Sequence, residues 1–128
     1  MRILTLSAAL IATTLSSAAV AADWVLVTAS TDGTLGYVDR ESIRTMPNGY
    51  KRAWMRIVYA EPIDYGITSA EVFKEFDCRE RRSRYLQSIF LKGKEVTTTV
   101  NRPSDWDYHR PDSAAEGLLE YVCFGRLP

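Results

Sequence analysis

Two cysteines, Cys78 and Cys123, stand 45 positions apart in a chain of 128 residues, and their meaning is set by the other end of the sequence. Residues 1–22, MRILTLSAALIATTLSSAAVAA, open on Arg2, continue through an apolar stretch from Ile3 to Ala12, and finish in small residues at Ala19, Val20 and Ala21. This is the layout of a secretory signal peptide with an A-x-A cleavage site. The apolar run is too short and too interrupted by Ser and Thr to supply the roughly 20 residues a bilayer span needs. Cleavage after Ala21 makes 1–21 the leader and 22–128 a single mature domain, exported to the periplasm or secreted. In an exported chain an even cysteine count reads as one disulfide, and closing a loop of this length stabilises by roughly 4 kcal/mol on the chain-entropy model. A C-x-x-C redox motif is absent, and the single His109 cannot complete a zinc site, so thiol and metal chemistry are disfavoured.

Charge narrows the partner. Lys and Arg number 16, as do Asp and Glu, so no bulk field draws the chain to nucleic acid or to an anionic membrane. Loss of Arg2 with the leader makes the mature domain one unit negative. A partner must be recognised locally.

Along the mature chain, β-branched and aromatic runs separated by turn residues predict a meander of antiparallel strands followed by one helix, an α+β fold. WVLVTAS (24–30) stops at Asp32-Gly33, and a first hairpin returns through YVD (37–39). Pro47 and Asn48-Gly49 turn the chain into YKRAWMRIVYA (50–60). There Ala53, Met55, Ile57 and Tyr59 share one face, the core side, while Arg52, Trp54, Arg56 and Val58 share the other. EPIDYGIT reads as a loop opened by Pro62. Two further strands, 69–78 and 83–92, are joined by the arginine-rich segment 79–82, and Lys92-Gly93-Lys94 turns into a last strand at 95–100.

The helix is PDSAAEGLLEYVC (111–123). Ser113 with Glu116 forms a capping box, and Asp112 adds a negative charge where the helix dipole favours it. Ala115, Leu118, Leu119 and Val122 recur on one face, with Cys123 at the end of that stripe. So short a helix is not held by propensity alone, and a disulfide from Cys78 would fasten it to the sheet.

Two surfaces are candidate binding sites. Trp54 between Arg52 and Arg56 reads either as packing of arginine stems over an indole or as a contact patch. Arg81, Arg82 and Arg84, with Tyr85 and the lysines Lys92 and Lys94, read either as a solvated hairpin whose charges pair across strands or as a basic rim for an acidic protein partner. The first alternative has weight because residues 71–84 carry nearly as many carboxylates as cations. Nucleic-acid binding is not indicated.

The order YVDRESIR (37–44), AWMRIVYAEP (53–62), FDCRERRSRY (76–85), Trp106 and PDSAAEGLLEYVC (111–123) resembles the bacterial surface-adhesin protein E family across roughly Trp24 to Cys123. The resemblance implies an antiparallel sheet of about six strands with the C-terminal helix on its concave side, tethered by the family's disulfide at the positions of Cys78 and Cys123. It implies a homodimer, as for the best-known type, and a non-enzymatic exported protein, the name-giving member being a surface lipoprotein that binds host matrix proteins. This chain departs from that pattern in having no lipid-attachment cysteine at the end of its leader.

Three function classes are therefore in view: an interaction module for a protein or surface ligand; as the alternative, a periplasmic inhibitor of a cell-wall enzyme entering a cleft with loop 101–111, or an envelope-housekeeping binding module; and a hydrolase using His109. The last, with Ser104, Asp105 and Asp107 near His109, lacks a positioned nucleophile and orienting group. Asp105 and Asp107 are too few oxygen ligands for calcium. No cofactor is implied.

Overall fold

The computed structural model describes residues 9–13 and 20–128, so most of the expected leader lies outside the described residues. The chain forms strands β1 (Trp24–Ala29), β2 (Leu35–Asp39), β3 (Arg44–Thr45), β4 (Lys51–Ile63), β5 (Ile67–Asp77), β6 (Arg82–Lys92), β7 (Glu95–Val100) and β8 (Asp107–Tyr108), then one helix, α1 (Ala114–Phe124). All strand pairings are antiparallel, in the order β1-β2-β4-β5-β6-β7, with β3 added to β4 and β8 added to β6. The six-strand meander with a C-terminal helix is the expected architecture. The two short strands β3 and β8 were not expected, since two-residue pairings leave no periodic pattern to read.

Alternation along β4 does what its sequence demands. Ala53 and Met55 are completely buried on the face that α1 covers, with Ile57 and Tyr59 packed beside them. Val38, Val72 and Phe76 fill the same inner face from β2 and β5, and α1 contributes Leu118, Leu119, Val122 and Cys123. The expected loop at Pro62 begins later than Pro62 itself, because β4 continues to Ile63 and the turn is Asp64–Gly66. A proline is tolerated there because the β4–β5 register is interrupted between Val58 and Ile63, so no ladder bond is asked of its nitrogen.

The helix starts as its sequence indicates and is then tied from outside. Glu116 donates its backbone N–H to Ser113 Oγ (3.2 Å), which makes Ser113 the N-cap. The reciprocal half of the capping box is absent: the Ser113 N–H donates to Arg110 O, and the Glu116 carboxylate pairs with Arg81. Gly125 ends the helix in the left-handed region at φ 68°. The helix approaches the sheet through two glycines that face Thr28. A Cβ on Gly36 would lie 2.4 Å from Thr28 Oγ1, and one on Gly117 would lie 2.8 Å from Thr28 Cγ2. Past this contact, Cys123 is bonded to Cys78 at the end of β5, with the two Cα atoms 5.7 Å apart.

Because the disulfide spans 45 positions, replacing both cysteines by serine is expected to lower stability by about 2–4 kcal/mol. Urea unfolding followed by circular dichroism, with and without reductant, measures this, and the double variant should no longer respond to reductant.

Candidate functional site: the outer face of the sheet and its inner lysine

On the face turned away from α1, the register of β4, β5 and β6 sets arginines directly opposite carboxylates. Arg56 faces Glu71, Arg52 faces Glu75, Glu75 faces Arg84, and Asp77 faces Arg82. Each opposition is realised as an ion pair. Arg56 Nη2 lies 2.8 Å from Glu71 Oε1, and Arg82 Nε lies 3.0 Å from Asp77 Oδ2. Glu75 is gripped from both sides, by Arg52 Nε at 2.7 Å and by Arg84 Nη2 at 2.7 Å, and is only 2% exposed. A carboxylate that buried is costly to the fold without such partners.

Aromatic rings interleave with these pairs. Trp54 stacks on its cross-strand neighbour Phe73 with centroids 5.1 Å apart. The Arg56 guanidinium lies 4.1 Å from the centroid of Trp24, and those of Arg82 and Arg84 each lie 4.5 Å from Trp106. Tyr50 meets Trp106 edge-on. The indole–arginine packing expected at Trp54 is thus real but belongs to other indoles, Trp24 and Trp106, while Trp54 itself packs on a phenyl ring.

The expected basic rim is divided. Arg82 and Arg84 join Arg52, Trp54 and Arg56 on the outer face. Arg81 turns to the helix, where it pairs with Glu116 and Glu120. Tyr85 sits on the inner face beside Lys74. Lys92 closes the far end of the 11-residue β6, roughly 33 Å from Arg82, and Lys94 lies in the turn beyond it. A continuous rim fails because period-two alternation and strand length separate residues that are close in sequence.

Segment 101–111 is held down along β6. Ser104 N–H donates to Tyr85 O, Tyr85 N–H donates to Ser104 Oγ, and β8 pairs Asp107 with Ser83 and Tyr108 with Arg82. It therefore does not form the protruding loop an inhibitor of a cleft would use. His109 does have a hydroxyl nearby, since its Nε2 lies 2.7 Å from Ser83 Oγ. Ser83, however, is 1% exposed, beyond the reach of a substrate, and neither Ser104 nor Asp105 hydrogen-bonds the imidazole. Ser104 Oγ instead donates to Asp105 O. The pair pins β8 to β6. Burial, and then the nearby Lys74 charge, push the His109 pKa down. Among the described residues no cluster of three or more His, Cys, Asp or Glu side chains gathers as a metal site.

Lys74 was not singled out by the sequence, although it occupies an inward position of β5 between Val72 and Phe76. It is 6% exposed, and none of the ion pairs among the described residues uses it. Burial lowers its pKa to about 8, against a weaker opposing pull from Asp107.

Two outcomes are expected. Glu75→Gln should cost about 1–3 kcal/mol in urea unfolding and Glu71→Gln less than about 1, since Glu71 is partly solvated while Glu75 leaves two guanidiniums without their shared carboxylate. The lowered lysine pKa has the opposite sign to a paired cation. Below pH 8 the ammonium is charged in both states and is costly in the folded one; above it the unfolded chain holds the extra proton, so stability rises with pH. Between about pH 8 and 10 the gain should be about 2 kcal/mol, ending where the burial-raised Tyr85 pKa brings an opposite slope. Lys74→Met should flatten this rise in pH-dependent urea unfolding.

Comparison with known proteins follows the same outline. Residues 24–124 match the family model described as surface-adhesin protein E. The chain also superposes on the crystal form II structure of Haemophilus influenzae protein E with a TM-score of 0.57 and 14% identity, covering 84% of this chain and 94% of that one. A search of curated proteins finds no match. With the family model matched over residues 24–124, a span that holds the whole strand meander and the C-terminal helix, this chain belongs to the surface-adhesin protein E family.

Proposed function

We propose that the mature domain, residues 22–128, is an exported, non-enzymatic interaction protein that docks a protein ligand on the outer face of its sheet. The observation that carries this reading is the continuous field of Trp24, Arg56, Trp54, Phe73, Arg84 and Trp106 on a face α1 leaves uncovered. Tryptophan and arginine are the residues that most often dominate protein interfaces. Here the arginines are held in place by cross-strand ion pairs and the tryptophans by stacking on Phe73 or on guanidiniums, so little side-chain freedom is lost on docking. Arg52 and Arg56 each keep 37% of their side-chain surface exposed while paired, which leaves donors free for a partner.

The absence of a net field across the chain fits recognition by this local pattern rather than by steering. Host matrix proteins are the first ligand class to examine, given the adhesin name of the family. The site of action is the periplasm or beyond it. Among the described residues no helix is long and apolar enough to cross a membrane.

The test is surface-immobilised binding of the oxidised protein to a panel of matrix proteins and to periplasmic extract. Trp54→Ala with Arg56→Ala is expected to weaken capture at least about tenfold, and the triple replacement of Arg81, Lys92 and Lys94 by alanine to leave it unchanged. The reverse pattern would move the site to the basic hairpin. Capture of a cell-wall enzyme alone would replace adhesion by inhibition.

A further inference from the structure

A cleft of about 150 Å³ lies between the first turn of α1 and the inner face of the sheet. Its walls are mostly apolar, from Met55, Ile57, Leu118 and Ala115; Thr28, Ser30 and Thr34 line it on the β1–β2 side, and Lys74 and Tyr85 on the β5–β6 side. Lys74 is the unusual member. Its ammonium lies 4.7 Å from the centroid of Tyr85 and 5.7 Å from that of Phe76, with no carboxylate in ion-pair range among the described residues. The lysine ammonium that does donate to another residue is Lys51, to Cys123 O. Aromatic faces compensate a desolvated cation only in part. Among the described residues no fully buried side-chain nitrogen or oxygen lacks a partner, so the Lys74 tip, which has none, meets solvent, and the cleft it lines is its outlet.

The helix adds to the same potential. α1 has 11 residues, and its cap side chain, Ser113, serves the N–H of Glu116. The N–H groups of Ala114 and Ala115 remain at the positive end of the helix, on the wall of the cleft. One unpaired cation, one phenol and a helix N-terminus at the rim of an apolar space are complementary to an anion with an apolar body.

We propose that this cleft binds a small organic carboxylate carrying an aromatic ring or a short alkyl chain, with the carboxylate on Lys74 and the apolar part between Met55, Ile57 and Leu118. Size limits the ligand, since an apolar cavity of about 150 Å³ holds benzene. The same chemistry occurs in a free acid and in a peptide ending in phenylalanine, and both are probed. The site is on the opposite face from the docking surface and stands without it.

Titration of the isotope-labelled, oxidised protein near pH 7 with benzoate, N-acetyl-Gly-Phe and the neutral benzyl alcohol, followed by amide chemical shifts, tests the assignment. Benzoate is expected to shift the amides of Gly36, Met55 and Leu118 and to bind at least about tenfold more tightly than benzyl alcohol. Lys74→Met should remove that preference and retain alcohol binding, which also reports that the variant is folded. Stronger binding of the peptide than of benzoate would identify a chain terminus as the source of the carboxylate.

A second measurement needs no variant. Between pH 7 and about 9.5, deprotonation of Lys74, whose neighbours are Tyr85, Asp107 and His109, should weaken benzoate about tenfold and leave the alcohol unaffected. Equal binding of benzoate and alcohol, an unchanged preference in Lys74→Met, or no shifts at tens of millimolar benzoate would overturn the proposal.

Discussion

The pairing of β5 with β4 on one side and β6 on the other decides what each face of this domain can be. With Glu75 opposite both Arg52 and Arg84, the outer face becomes a lattice of ion pairs, and Val72, Lys74 and Phe76 are directed under the helix. A slip of one residue would exchange the two sets. It would expose Val72 and Phe76 and bury the carboxylates away from their guanidiniums. Polar pairs of this kind contribute little net stability when solvated, but Glu75 is enclosed, and an enclosed carboxylate without its partners is costly. The lattice therefore penalises wrong registers more than it favours the right one.

Much of this was legible in advance because it rests on local chemistry. The period of two in β4, the Asp32-Gly33 and Asn48-Gly49 turns, the Ser113 cap and the two cysteines each carry their own signal, and each appears in the fold as expected. The family resemblance supplied the strand count and the side of the sheet on which the helix lies. What was not legible depends on registration between distant strands. Arg56 could not be assigned to Trp24, nor Arg84 to Trp106, until the order of strands was known. The basic rim dissolved for the same reason, since neighbours in sequence such as Arg81, Arg82 and Tyr85 point in three directions. Lys74 did carry a signal, a lysine at an inward position of an alternating strand, although a lysine at a strand position more often stems out to solvent.

The helix is held by means other than its own propensity. Its docking combines four buried side chains, a covalent bond at Cys123, and the bridge from Arg81 to Glu116 and Glu120. Thr28 fits between Gly36 and Gly117, where the helix comes closest to the sheet. The glycine contact lies on the side of β1 and β2 and the disulfide and Arg81 bridge at the β5–β6 end, all on the inner side of the sheet, so the opposite face is left free.

The chain has three tryptophans, and all of them stand on the outer face: Trp24 beneath Arg56, Trp54 against Phe73, and Trp106 beside Arg82 and Arg84. None belongs to the hydrophobic core. Intrinsic fluorescence of this protein is consequently a spectroscopic window on one surface. Its emission follows the local polarity of that sheet face, so a bound partner changes the signal while the interior stays as it was, and loosening of the helix on the other face leaves the emission unchanged.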